Sequence, residues 1–305
     1  DYIDPMFHRT VLEIPSRNLD SFFADGDTLR YLLGREVLEM EKFPESRIAV
    51  LEGVMGFYDG LGGVSERSSA WEVADLTDTP VILLVDMMGR SLSALASIKG
   101  FLDYKEKSHV TGVVFNRLSP MLYPGLKERA ERELGIRVFG YVPELKDMTL
   151  ESRHLGLVMP EEIPGIRERL DLIKEKVRAG INLDGIIEEA GRAGEIEVKL
   201  PEAVRQFCNV DCGTGIKKTV VAVAKDEAFC FYYEDNLDIL RKLGAEIQYF
   251  SPIHDRNLPV ETCAVYLGGG YPELYAKALE ENETIRNEIR RKAEEDMPIL
   301  AECGG

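Results

Sequence analysis

The 305-residue chain sets 37 basic against 54 acidic side chains, a formal net charge of −17, with 45% apolar and 30% charged residues. Such proportions belong to water-soluble globular chains long enough for two cores, and without a basic cluster they disfavour nucleic acid and anionic membrane surfaces as partners. No apolar run approaches the roughly 20 residues of a membrane span and no charged-then-apolar leader opens the chain, so the expected location is cytoplasmic.

The opening Asp1-Tyr2-Ile3-Asp4-Pro5 places two carboxylates close together, which alone read as surface charges. With no initiator Met here and an abrupt stop after Cys303, the chain reads as an internal fragment. Short β-branched runs at 47–51, 81–85, 113–115 and 138–142 end in Glu52-Gly53, Asp86, Asn116-Arg117 and Pro143. Helical patterns separate them, so the expected class is α/β with a doubly wound, mostly parallel sheet. Ligands of such sheets sit beyond the carboxyl ends of the strands, where Glu52, Asp86 and Asn116 fall.

In Glu52-Gly53-Val54-Met55-Gly56-Phe57-Tyr58-Asp59-Gly60 a carboxylate leaves a strand and meets glycines and a second carboxylate. That pattern can hold magnesium and let phosphate approach the backbone; a solvated turn is the plainer alternative. The amide of Asn116 offers a donor and an acceptor side by side and, with Arg117, can read a nucleotide base; an Asn capping a turn is the alternative. Arg153-His154 could contact an anion, although a lone His is more often structural. Arg9, Arg17, Arg67, Arg90 and Arg153 could bind a polyanion, with surface pairing the commoner fate of an Arg.

Apolar residues from Ile166 to Ile186 recur at near-helical spacing with an interruption at Gly180-Ile181-Asn182, and 191–218 then reads as a connector. Within the connector, Gly213-Thr214-Gly215-Ile216-Lys217-Lys218-Thr219 departs from the phosphate-loop pattern, because a strand begins where a helix must open. Cys208 and Cys212 lack partners at zinc spacing and read as ordinary reduced thiols.

The α/β pattern restarts with strands at 220–224, 246–250, 264–267 and 299–301 and helices at 237–243 and 285–293. Asn282 is expected to begin the second helix by accepting from its first-turn N–H groups. Val265-Tyr266-Leu267-Gly268-Gly269-Gly270 opens a strand into glycines. The N–H groups of Gly269 and Gly270, with Gly304, are candidates for an oxyanion site. Cys303, at a strand end and before Gly304-Gly305, fits a strained strand-to-helix elbow that exposes the sulfur. A thiol there gains thiolate character from the helix dipole; an inert apolar cysteine is the alternative. No His is identifiable as its base, and His254 is a weak candidate.

Together Asp1 to Pro5, Ser16-Arg17-Asn18-Leu19-Asp20, Glu52 to Gly60, Arg153-His154-Leu155-Gly156-Leu157, Ala228-Phe229-Cys230-Phe231-Tyr232-Tyr233, Gly268 to Glu273 and Ala301 to Gly305 resemble the cobyrinic acid a,c-diamide synthase family over essentially the whole chain. The resemblance implies a synthetase domain of dethiobiotin-synthetase P-loop type at 1–195, a linker at 196–218 and part of a class I glutamine amidotransferase domain at 219–305. It implies ATP as co-substrate, Mg2+ as cofactor, and glutamine and a tetrapyrrole as small-molecule substrates; a homo-oligomer is compatible with it. By resemblance Asp1, Asp4, Glu52 and Asp59 match the acids of magnesium, phosphate and acyl-phosphate chemistry, with Glu52 and Asp4 as metal ligands. Asn116, beside Arg117, is similar to the family's adenine contact, and Cys303 to its glutaminase nucleophile. The family's P-loop, the lysine before Asp1 and the His activating the thiol fall outside these residues, so the polypeptide by itself is expected to turn over neither ATP nor glutamine. Two rival readings stand beside this one: the same chemistry on hydrogenobyrinic acid or nickel sirohydrochlorin, and a non-catalytic module on the same nucleotide fold.

Overall fold

A computed structural model describes residues 2–39, 48–145, 152–153, 156–157, 165–202, 204–205 and 219–305. The chain forms two compact units: Leu19–Pro201 is one, and Asp1–Asn18 joins Glu202–Gly305 in the other.

In the first unit β1 (Val81–Asp86), β2 (Val110–Asn116) and β3 (Arg137–Val142) form a parallel sheet in the order β1-β2-β3, and β4 (Ser152–Arg153) pairs antiparallel with β5 (Gly156–Leu157). The intervening helices Leu92–Asp103 and Tyr123–Leu134 seal it with Leu95, Ile98, Leu126 and Ala130, packed in one cluster with Val113, Phe115 and Val138 of the strands. The sequence shows β2 clearly because Val113, Val114 and Phe115 are all buried, the near-continuous apolar run of a strand covered on both faces. Helix Ala70–Thr77 starts where Ser69 accepts from the Glu72 N–H, while the Glu72 carboxylate accepts from the Ser68 N–H at 2.6 Å, a close variant of a capping box. The interruption at 180–182 ends helix Ile166–Gly180, and Asn182 caps helix Leu183–Ala190 by accepting from the Gly185 N–H.

One expected strand is not formed. Residue 47 lies outside the described residues, and 48–51 run without a ladder partner, with Ile48 and Val50 exposed. A short apolar run carries no period of its own, so its strand character depended on a partner that β1 does not supply.

In the second unit β6 (Thr219–Ala224), β8 (Ala245–Phe250), β9 (Thr262–Leu267) and β11 (Ile299–Ala301) make a four-stranded parallel sheet in the order β11-β9-β6-β8. Central β6 is buried on both faces. Ala222 and Ala224 meet Phe229, Phe250, Val265 and Ile285, whereas Val221 and Val223 meet Tyr232, Leu237 and Tyr266. A two-stranded antiparallel ribbon joins β7 (Phe229–Phe231) to β10 (Gly269–Gly270).

Asn282 does not cap as expected. It stands at the N-cap position of helix Glu283–Glu294, but its side chain makes no cap bond and its amide donates instead to the carbonyls of Pro252, Ile253 and Asp255 in the loop after β8. Residues 2–18 pack on this same unit. Helix Ile3–Val11 lies against β7, Arg9 pairs with Glu234 at 3.8 Å, and Arg17 pairs with Asp235 at 3.1 Å and Asp238 at 2.8 Å. Those two arginines therefore hold the N-terminal segment in place.

Candidate active site

Strand β11 ends at Ala301, and the Glu302 N–H continues onto the Leu267 carbonyl of β9 at 3.0 Å. The Tyr266 hydroxyl of β9 donates to the Glu302 carboxylate at 2.5 Å, fixing the residue before the thiol from below. A turn then closes from the Gly305 N–H to the Glu302 carbonyl at 2.8 Å, and Cys303 takes φ 54. Left-handed backbone costs a non-glycine residue on the order of 1–2 kcal/mol, and here it lifts an exposed thiol out of the strand line. The bend has no room for larger neighbours: a Cβ on Gly304 would stand 2.8 Å from Pro272 Cγ, and one on Gly305 would stand 2.3 Å from the Leu267 carbonyl oxygen.

The thiol faces the glycine turn. A Cβ added to Gly269 would lie 3.0 Å from Cys303 Cβ and 3.4 Å from its Sγ, so this glycine is the contact surface of the sulfur. The turn is built on Tyr232, a buried residue whose hydroxyl accepts from the Gly268 N–H at 2.8 Å and donates to the Ala224 carbonyl. Burial pushes that phenol far above its ordinary value, keeping it a neutral donor. Tyr232→Phe is expected to leave one buried N–H and one buried carbonyl unpaired and to lower stability by roughly 1–3 kcal/mol, measurable by denaturant unfolding.

Among the described residues no histidine bonds to Cys303. His8 meets Ser16, His109 meets Asp75, and His254 meets Glu227 at 3.0 Å, which raises the imidazole above its usual value through that hydrogen bond. The weak candidacy of His254 as base is therefore not supported. Cys208, Cys212 and His154 lie outside the described residues, as does Asp1.

In the other unit Glu52 and Asp59 are exposed on the loop that follows residues 48–51. The Asp59 N–H bonds the Gly56 carbonyl at 2.9 Å, and its carboxylate folds over Gly56, where a Cβ would come within 2.0 Å of Oδ2. The Gly60 N–H donates to the Ser65 carbonyl and the Leu61 N–H to the Arg67 carbonyl, each at 2.8 Å, and a cleft of ≈ 460 Å³ opens between Asp59, Glu66, Tyr58, Phe101 and Tyr104. Asp4 lies in the first turn of helix Ile3–Val11. No group of three or more His, Cys, Asp and Glu among the described residues is placed to hold a metal ion.

Asn116 ends β2 and is half-buried, while Arg117 follows at φ 56 and turns back onto Asp86 at the end of β1. Arg117 Nε donates to Asp86 Oδ1 at 2.7 Å and Nη2 to Oδ2, a bidentate pair. The arginine expected beside a nucleotide base thus braces two strand ends. The hydrogen bond from Arg117 holds the Asp86 carboxyl below its ordinary range. A depressed folded value contributes stability above the unfolded pKa that is lost as pH falls through the folded one. Both side chains are partly exposed, so the contribution is small. Arg117→Met is expected to raise the Asp86 titration midpoint, read by carboxyl NMR, with little change in stability at neutral pH.

A strand ending in an exposed cysteine on a left-handed bend, facing a glycine turn from the neighbouring parallel strand, defines a glutaminase-like site, and residues 220–305 match the CobB/CobQ-like glutamine amidotransferase domain. Proteins named cobyrinate a,c-diamide synthase align with the whole chain. That of Caldanaerobacter subterraneus subsp. tengcongensis is 37% identical over 306 residues, 64% of its own length. The Listeria innocua protein is 38% identical over 308 residues, 65% of its length, and the Fusobacterium nucleatum protein 34% identical over 312 residues, 67% of its length. The chain thus spans 64% to 67% of the length of these relatives and belongs to the cobyrinate a,c-diamide synthase family. No solved structure matches it.

Proposed function

We propose that the full-length protein transfers the amide nitrogen of glutamine to the a and c carboxylates of cobyrinic acid, using ATP to activate each carboxylate. The observation that carries this reading is the exposed Cys303 on its left-handed bend against Gly269. Cys303 Sγ adds to the side-chain carbonyl carbon of glutamine, the tetrahedral oxygen is held by N–H groups of the Gly269, Gly270 and Gly304 backbone, and collapse expels ammonia to leave a thioester. Water hydrolyses the thioester to glutamate and the free thiol. The Gly268 N–H is committed to Tyr232 and is not one of these donors.

A carboxylate is a poor electrophile because its leaving group would be oxide. Transfer of the γ-phosphoryl group of ATP makes an acyl phosphate, and ammonia displaces phosphate to give the amide. In this proposal a synthetase domain of dethiobiotin-synthetase P-loop type, expected over 1–195 and joined by 196–218 to the glutaminase domain at 219–305, carries that half, its first 18 residues packing with the C-terminal unit. Glu52, Asp59, Asp1 and Asp4 are its acids and Asn116 its base-reading amide, with Arg117 fixing the adjoining strand ends. Magnesium is part of the proposal as the ion that would offset phosphate charge, with Glu52 and Asp4, which lie in different units, as its expected ligands. No helix among the described residues is long and apolar enough to cross a membrane, and a cytoplasmic location is part of the proposal. The test is amidation of cobyrinic acid, hydrogenobyrinic acid and nickel sirohydrochlorin in competition by the full-length protein. Glutamine- and ATP-dependent conversion of cobyrinic acid to its a,c-diamide is expected; amidation of a different ring alone would reassign the substrate, and none of any would overturn the reading.

A further inference from the structure

The N-terminal segment reaches the thiol site itself. Tyr2, directly before helix Ile3–Val11, is half-buried, and its ring stacks on Phe231 at 5.4 Å with 10° between planes and on Tyr233 at 4.5 Å with 28°. Phe231 is the ladder partner of Gly269, and a Cβ on Gly269 would touch Phe231 Cβ at 3.4 Å as well as Cys303 at 3.0 Å. Tyr271 meets Phe231 edge-on at 5.2 Å. One glycine therefore separates the sulfur from an aromatic platform whose outer layer is Tyr2.

We propose that Tyr2 is a positioning residue of the glutaminase site: by clamping Phe231 under Gly269 it sets the height of the glycine turn against which Cys303 is held. This rests on the glutaminase reading above. Tyr2 also stands within electrostatic reach of the site. Burial raises its phenol above the ordinary value, a hydrogen bond with Tyr233 offsets part of that, and the charges of Glu302 and Cys303 add to the rise. The hydroxyl thus stays neutral beside a thiol that must ionise. Arg9 and Arg17, paired with Glu234, Asp235 and Asp238, keep the N-terminal segment from lifting away.

The experiment compares Tyr2→Ala and Tyr2→Phe with the unsubstituted full-length protein in three readouts: the rate at which 6-diazo-5-oxonorleucine labels Cys303, glutamine hydrolysis, and amidation supported by ammonium salt. Tyr2→Ala is expected to slow labelling and hydrolysis by about tenfold or more, the scale of a small misplacement of a reacting atom. Ammonium-supported amidation should stay near its original rate. Tyr2→Phe keeps the stack and should restore both glutamine readouts to within about threefold of the original, because ring contact rather than the hydroxyl does the clamping. Unchanged labelling in Tyr2→Ala, or an equal fall in ammonium-supported amidation, would overturn the proposal. So would a failure of Tyr2→Phe to rescue. Absence of labelling in the unsubstituted protein would overturn the glutaminase reading together with it.

Discussion

Cys303→Ala in the full-length protein abolishes glutamine-supported amidation, by at least about a thousandfold, while amidation fed by ammonium salt continues. The expected size follows from chemistry: no other thiol is offered by this bend, and a methyl group cannot form the thioester that splits glutamine hydrolysis into two easier steps. Of the other free cysteines among the described residues, the Cys263 thiol donates to the Glu261 carbonyl at 3.2 Å and Cys230 sits within strand β7; neither stands on a left-handed bend at a strand end. The retained ammonium activity follows from the separate origin of the acyl phosphate. Free ammonia is mostly protonated at neutral pH, so the retained rate should rise with pH as the unprotonated fraction grows. Product assay with glutamine or ammonium salt as the only nitrogen source reads both halves of the result.

Gly270→Ala has the largest structural effect. Gly270 takes φ +152, and a Cβ there would stand 2.1 Å from the Ala228 carbonyl oxygen and 2.9 Å from its carbon. Backbone cannot yield as a flexible side chain does, so both the conformation and the contact count against the variant, together roughly 2–5 kcal/mol. The ribbon of β7 and β10 would part, and with it the placement of Gly269. A fall of several degrees in the unfolding midpoint and loss of glutaminase activity are expected. Gly269→Ala separates the two effects, because its Cβ would meet mainly Cys303 and Phe231 side-chain atoms. Its unfolding midpoint should change little while glutamine hydrolysis falls by about tenfold or more. Calorimetry and glutaminase assay on the pair read this contrast.

Much of the architecture was legible because parallel strands covered on both faces write themselves as unbroken apolar runs. Residues 220–224 and 113–115 did so, and both are central in their sheets. The thiol elbow was legible for a related reason: Ile299 to Ala301 supplied the strand, and Gly304-Gly305 after the cysteine admitted only a tight bend. Residues 48–51 misled, since an apolar run becomes a strand only when a neighbour pairs with it. Asn282 misled because a capping amide and a loop-bracing amide are the same side chain, told apart by the carbonyls at 252, 253 and 255. Ribbon β7 was too short to show a period. Arg117 reads as a ligand contact from its dipeptide alone, whereas its ion pair with Asp86 joins strand ends far apart in sequence and is invisible to local pattern. The docking of residues 2–18 on the C-terminal unit, through Arg17 and the Tyr2 stack, likewise depends on contacts between distant parts of the chain that local periodicity does not encode.

The most direct test of the account is the site of covalent capture by 6-diazo-5-oxonorleucine, mapped by peptide mass spectrometry on the full-length protein with and without excess glutamine. The account predicts one adduct, on Cys303, formed in step with loss of glutamine hydrolysis and prevented by glutamine. An adduct on Cys230, Cys263 or another side chain, or full loss of glutamine hydrolysis with Cys303 unmodified, would contradict it.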